Sequence, residues 1–329
     1  MKKIWLFSLL ALASFQAIAN DGIGSLAVGG VVFRKTDDIA MKKEVLNISW
    51  KKISVDYEFL NESNADITET IFFPLPDYEQ DQAPRHSGQP NGFSIRVDGK
   101  PVSYKTIVQA FASGNGKEDI TAELRKIGLS DEQIAFYPFY SPFRVKVKPL
   151  TKKQMALLEK QAYLKDFGTP VPGWTVRIAY QWQQHFPAGK SIHVHHEYAP
   201  FRSGGPSESG SMDKQVKPFC ADKTYLDSWH KLHATDKDNV RVTNTVVDYI
   251  LKTGNTWKNG IEDFTLNLNK EDPQELITLC FPGDFKRISP TKLQLRLLNF
   301  KPAADLSIFF GNIDPGAMTP DDGQAPRLK

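Results

Sequence analysis

Trp174-Thr-Val-Arg-Ile-Ala-Tyr-Gln-Trp-Gln183 decides the fold class. Trp174, Val176, Ile178, Tyr180 and Trp182 alternate with Thr175, Arg177, Ala179, Gln181 and Gln183. Successive side chains on a strand point to opposite faces, so this period-2 pattern predicts a long strand with one buried face. The same alternation recurs at Ile53, Val55, Tyr57 and Phe59, interleaved with Ser54, Asp56 and Glu58. Asn61 to Asp66 reads as a turn, and Ile67 to Phe73 as a strand pairing back on it, ended by Pro74-Leu75-Pro76. Proline has no N–H to donate to a ladder. His185-Phe-Pro-Ala-Gly189 makes another turn, from which Ser191 to Tyr198 returns. Asp98-Gly99-Lys100-Pro101 between Phe93–Val97 and Val102–Lys105 is a hairpin signal.

Outward from these strands the expectation is a mostly β protein of antiparallel sandwich-like domains. An N-terminal domain over residues 20–201 carries a helical insertion at about 106–168. Within it, Asp119 to Ile127 has helical spacing. Ser130-Asp-Glu-Gln133 and Thr151-Lys-Lys-Gln154 are capping boxes, the second opening a helix to about Asp166. Arg202 to Ser211 is rich in Gly and Ser, so residues 202–213 read as a linker or mobile loop. A β-rich C-terminal domain over 214–313 follows, with a short helix at Tyr225–Leu232. The Pro-, Gly- and Asp-rich residues 314–329 read as a disordered tail.

The first nineteen residues give the address. Lys2 and Lys3 precede the apolar run Ile4–Phe15, and Ala17-Ile18-Ala19 is a small-x-small cleavage site. The run is short for a membrane span, which needs about 20 apolar residues, and no stable span is expected once it is removed. The reading is a signal peptide over 1–19 and a periplasmic or secreted protein. Of 329 residues, about 310 remain. The whole chain carries 41 basic and 38 acidic residues, a balance that argues against nucleic acid as a partner. Cys220 and Cys280 are the only cysteines, and in an oxidising compartment such a pair is expected to bridge.

His193-Val-His195-His196-Glu197 is the sharpest polar cluster. On a strand, His193, His195 and Glu197 share the face opposite Ile192, Val194, His196 and Tyr198. Two histidines two apart can hold zinc, with Glu197 as third ligand or base, and that arrangement would make a metal-dependent hydrolase. An ordinary polar outer face explains the same residues more economically, so no cofactor is expected. His230 and His233 lie one helical turn apart without the HExxH pattern, and His185 and His86 sit in polar turns. Trp174, Tyr180 and Trp182 can line a glycan or lipid groove, but core packing accounts for them better. The sequence contains no GxSxG elbow and no Walker loop.

Asn20 to Met41 resembles the start of a family of exported bacterial proteins, domain of unknown function 4424. The likeness continues through Phe73-Pro-Leu-Pro76, Gln183–Gly189, Val247–Trp257 and Ile261–Leu266. It implies bacterial export and a conventional fold rather than a reaction, and no catalytic residues are carried over from it. The functional expectation is a non-enzymatic binding or interaction module of the envelope or extracellular space, with a protein or glycan partner. The alternatives are the hydrolase built on His193, His195 and Glu197, and a secreted effector acting on a host.

Overall fold

The computed structural model describes residues 21–27, 30–80, 91–112, 118–136, 147–166, 168, 170–208, 212–233 and 241–314. The proposed signal peptide, His86 and nearly all of the proposed tail lie outside these residues. The strands in chain order are β1 (Gly22–Ala27), β2 (Gly30–Phe33), β3 (Ile39–Ile48), β4 (Ile53–Asn61), β5 (Ile67–Pro74), β6 (Tyr78–Glu79), β7 (Asn91–Val97), β8 (Lys100–Pro101) and β9 (Lys105–Ala112). Helices α1 (Thr121–Ile127), α2 (Asp131–Ala135) and α3 (Lys152–Lys160) come next. Strands β10 (Leu164–Asp166), β11 (Pro170–Pro172), β12 (Trp174–Phe186), β13 (Ser191–Ala199) and β14 (Arg202–Glu208) follow. The chain closes with α4 (Met212–Val216), α5 (Lys223–Leu232), β15 (Arg241–Tyr249), β16 (Lys258–Asn269), β17 (Leu276–Leu279), β18 (Lys286–Ser289), β19 (Lys292–Phe300) and β20 (Leu306–Ile313).

Among the described residues there are three large sheets and a two-stranded one, β10-β11. A six-stranded sheet runs β2-β1-β5-β12-β6, with β9 on the other side of β12. An eight-stranded sheet runs β18-β19-β16-β3-β4-β13-β7-β8, and a four-stranded one β14-β15-β20-β17. Every pairing among them is antiparallel except β3 with β16. The buried side of β12 is the one its alternation assigned: Trp174, Val176, Ile178, Tyr180 and Trp182 are at most 6% exposed. Their rings meet the inner face of the eight-stranded sheet, where Phe93 stacks on Tyr180 at 3.8 Å and Trp182 meets His196 edge-on at 5.2 Å. The four-stranded sheet joins the same core through Tyr249, Leu306, Ile308 and Phe310.

Several expectations are corrected. The two-domain split fails, because β16 from the C-terminal half lies between β3 and β19 in one sheet, and one cluster of buried side chains includes residues from both halves. Arg202–Glu208 is no linker: it forms β14, paired in unbroken register with β15. Its glycine is there for proximity, since a Cβ on Gly204 (φ +148°) would stand 2.4 Å from the Asn244 carbonyl oxygen. Residues 209–211 lie outside the described residues. Residues 106–112, placed in the helical insertion, belong to strand β9, paired with β12 from Trp174 to Gln181. Helix α3 stops at Lys160 rather than near Asp166, because Ala162 turns to φ +57° and β10 then pairs with β11. Both capping boxes form, with Ser130 accepting from the Gln133 N–H and Thr151 from the Gln154 N–H.

Two hairpins read from local turns are crossovers. β5 pairs with β1 and β12, not with β4, and β13 pairs with β4 and β7, not with β12. The turns at 62–66 and 187–190 therefore carry the chain from one sheet to the other. Asn61, fully buried, holds both corners together by donating to the carbonyls of Ala65 (2.8 Å) and Phe186 (2.9 Å). A hairpin forms at Asp98-Gly99, but its turn is only Asp98 (φ +48°) and Gly99 (φ +75°), and the returning strand β8 is Lys100–Pro101 rather than Val102–Lys105.

Cys220 and Cys280 are bonded to each other. The bridge ties the segment between α4 and α5 to the end of β17. There a second, smaller core of Met212, Val216, Tyr225, Trp229 and Phe309 sits on the four-stranded sheet. Among the described residues no helix is long and apolar enough to cross a membrane.

Candidate functional site

Strand β13 carries the sequence-predicted residues, and parity places them. Ile192, Val194, His196 and Tyr198 are buried, while His193 is exposed and His195 and Glu197 are partly exposed. Register then sets their neighbours: His193 opposite Glu58, and His195 between Asp56 on β4 and Arg96 on β7. His195 Nδ1 lies 2.6 Å from Asp56 Oδ1, and its Nε2 is 4.0 Å from Glu197 Oε2. Glu197 is itself held by Lys52 Nζ at 2.7 Å, and that hydrogen bond keeps its carboxyl below the usual range. The two histidines and the glutamate share a face, but Asp56 and Lys52 already engage His195 and Glu197. Among the described residues, no group of three His, Cys, Asp or Glu side chains is placed to hold one metal ion.

The same outer face continues across the sheet. Asp263 on β16 grips Arg296 on β19 through two bonds of 2.7 and 2.8 Å. An amide chain crosses three strands: Gln294 donates to Asn267 at 2.8 Å, and Asn267 to Asn47 at 2.9 Å. From β19 to β7 the face is largely polar, with Leu298 exposed on β19, and several of its charges are held by neighbours. Six strands at about 4.8 Å spacing make it about 24 Å wide, and strands of nine residues make it about 30 Å long.

The inner face of the same sheet holds polar residues that the sequence reading did not single out. His196 is fully buried, and its Nε2 lies 3.0 Å from both carboxylate oxygens of Asp21, itself 1% exposed. Rings of Tyr57, Phe73, Phe93 and Trp182 surround the imidazole at 5.1–5.7 Å. Burial pushes the Asp21 carboxyl up, opposed by the charge of His196 and the hydrogen bond to it. Glu44 is also fully buried, and the Tyr57 and Tyr249 hydroxyls meet at 3.1 Å. Burial drives both tyrosines well above their ordinary range. The signal for His196 was its parity, a histidine in step with Ile192, Val194 and Tyr198. Asp21 carried no signal, because its partner lies 175 residues away.

The remaining histidines do not converge. His185 meets Thr68 at 3.2 Å in the six-stranded sheet, away from the strand that holds His193. His230 approaches Asp213 at 3.5 Å, whereas His233 packs on Trp229 at 4.3 Å. Trp174, Tyr180 and Trp182 are core residues.

Concave places lie at the seams between described elements. A cleft of about 260 Å³ between the end of β5 and the four-stranded sheet includes Asp77, Asp248 and Asp305 in its wall. Each carboxylate has work inside the protein. Asp77 binds Arg177 at 2.7 Å, and Asp305 accepts from the N–H groups of Leu251 and Lys252 at 2.9 and 3.1 Å. Burial raises Asp248, against a hydrogen bond from Ser307. An open groove of about 520 Å³ runs beside β9 past Leu26, Asp119 and Arg125. There Asp119 accepts from Gln109 (3.0 Å) and Thr121, while Arg125 binds Asp131 (2.8 Å) and the Val108 carbonyl (3.2 Å).

Comparison with known proteins adds a family and little more. The profile of the family described as Domain of unknown function (DUF4424) matches residues 19–309. No curated protein matches the sequence. A solved structure from Legionella pneumophila subsp. pneumophila str. Philadelphia 1, called a "putative nutrient binding protein", is 17% identical. The alignment covers 90% of this chain and 72% of that one, with a TM-score of 0.41. An overlap of that size says nothing about ligand or reaction. The chain belongs to the DUF4424 family.

Proposed function

We propose that this member of the family is an exported, non-enzymatic binding module that engages a protein or glycan partner in the envelope or outside the cell. The observation that carries the reading is the outer face of the eight-stranded sheet. At about 24 by 30 Å it offers roughly 700 Å², close to the roughly 800 Å² that each partner contributes to a standard interface. It is an open sheet face, which suits an extended partner surface better than a small molecule, since a small molecule needs a concave pocket. Three of its charged pairs are fixed in place, Asp56–His195, Lys52–Glu197 and Asp263–Arg296, which favours recognition over proton transfer. The bridge between Cys220 and Cys280 fits an oxidising compartment.

The test uses the mature protein with a photo-crosslinker at position 193 on this face, and separately at Gln183 on the outer face of the other sheet. Crosslinking from position 193 should be saturable, competed by unlabelled protein, and lost when Arg96→Glu and Lys52→Glu reverse two charges. Equal capture from both positions would refute the assignment. Sequencing of the N-terminus recovered from the periplasm or medium tests export, with Asn20 as the expected first residue.

A further inference from the structure

A strand at the end of a sheet presents unpaired N–H and C=O groups, and proteins blunt such edges with charge, proline or a cover. Most terminal strands of this protein follow that rule. β18 carries Lys286 and Arg287, β8 is Lys100-Pro101, and β14 contains Pro206. β6 carries Glu79, and the short β10 and β11 carry Asp166 and Pro170. The outer edge of β9 is covered, since the Ile120 N–H donates to the Ala110 carbonyl at 2.9 Å and Arg125 to that of Val108 at 3.2 Å. β17 is uncharged but has no exposed side chain. β2, at the end of the six-stranded sheet, has none of these devices. No charged residue occurs from Gly22 to Phe33, and Val32 is 48% exposed. Among the described residues β2 pairs with β1 alone.

The register of β2 says which of its backbone groups are open. The Arg34 N–H donates to the Ile23 carbonyl at 2.8 Å, which makes Arg34 and Ile23 a hydrogen-bonded pair. Bonded residues alternate along an antiparallel ladder, so Val32, opposite Ser25, also bonds toward β1. Val31 and Phe33 therefore aim their N–H and C=O groups away from it. We propose that this edge joins two copies of the chain, β2 against β2, antiparallel about a two-fold axis at Val32. Val31 of each copy then faces Phe33 of the other, and each such pair exchanges two hydrogen bonds. Val32 meets Val32 of the second copy as a non-hydrogen-bonded pair, with Cα atoms about 4.5 Å apart, where side chains come closest. Arg34 falls opposite Gly30, so no like charges face each other. A lipid surface suits the hairpin less well, because hydrocarbon offers no partner to an open strand edge. Four residues make the contact about 14 Å long and the sheet about 10 Å thick, roughly 140 Å² per copy against roughly 800 Å² in a standard interface. The dimer is accordingly weak, half-formed at a concentration on the order of 100 μM. It is independent of the outer face proposed above, because β2 belongs to the other sheet.

The experiment uses the purified mature protein in sedimentation velocity from about 5 to about 500 μM. The expected result is a monomer at the low end and a dimer gaining ground at the high end. Val32→Lys sets like charges directly opposite each other at the axis, and should weaken association at least about tenfold. Val32→Cys should cross-link to its copy under mild oxidation, because Cα atoms about 4.5 Å apart lie within disulfide reach. Ser25→Cys, one strand further back, should not, because three strand spacings put the two Ser25 Cα atoms about 14 Å apart. A monomer at every concentration would overturn the proposal. So would a dimer untouched by Val32→Lys, or equal cross-linking from positions 25 and 32. A monomer that binds phosphatidylglycerol vesicles, and loses them with Val32→Lys, would overturn it in favour of a lipid surface.

Discussion

His195 and His196 are neighbours on one strand, and each pairs with one aspartate. Their burial differs completely, and so should the cost of removing the aspartate. Asp21→Ala leaves the fully buried Nε2 of His196 without its carboxylate in a box of aromatic rings. Breaking a buried pair by removing one partner costs about 3–5 kcal/mol, since the remaining group keeps its desolvation penalty without compensation. Asp56→Ala removes a contact as short, 2.6 Å, from side chains that are 34% and 56% exposed. Water replaces that partner, and exposed pairs contribute only about 0–1 kcal/mol. The assay is urea unfolding of the mature protein at neutral pH, with the denaturant slope checked for constancy. Asp21→Ala should lose at least about 2 kcal/mol more than Asp56→Ala. Replacing both members, Asp21→Ala with His196→Phe, should recover most of that loss, because an apolar ring suits the surrounding rings. Equal losses for the two single variants, or no recovery in the double variant, would refute the argument that burial sets the difference.

Other outcomes follow from the same structure. Cys220 and Cys280 close a loop of 60 residues, so replacing both by serine should cost about 4 kcal/mol on the chain-entropy account, measured by denaturant unfolding. An unchanged unfolding midpoint would count against it. Glu275, 2% exposed, accepts from Trp50 Nε1 at 2.9 Å, and burial raises its carboxyl above the ordinary 4.5. A raised folded value means the protonated form is favoured on folding. Its contribution is therefore complete below about 4.5 and declines as pH rises through the folded value. Wild type should lose stability relative to Glu275→Gln over that rise, and parallel pH profiles would contradict it. His193→Ala with His195→Ala should change stability by no more than about 0.5 kcal/mol, as for surface substitutions, and elemental analysis of the wild type should find no stoichiometric zinc. Zinc present in the wild type and lost from the double variant would instead favour the hydrolase.

What the sequence determined by itself was the local part of the fold. Alternation on β12 and β13 fixed which side chains point inward, because period 2 belongs to the strand and needs no partner. The capping boxes at Ser130 and Thr151 were legible because each is completed within four residues. The outward placement of His193, His195 and Glu197 was legible on the same ground. Parity, however, does not name a neighbour. Every strand edge offers the same N–H and C=O groups, so turn chemistry at 62–66 and 187–190 read as hairpins where the chain passes between sheets. The parallel pairing of β3 with β16, which brings Asn47 to Asn267 across 220 residues, was decided only when the hydrophobic faces of both halves packed together. The residues of the linker-like 202–208 stretch became a strand because β15 was there to pair with it. The Asp21–His196 contact belongs to the same class. A carboxylate and an imidazole gain that much from each other only where water is excluded, and the exclusion is a property of the assembled sheets, not of either stretch of sequence.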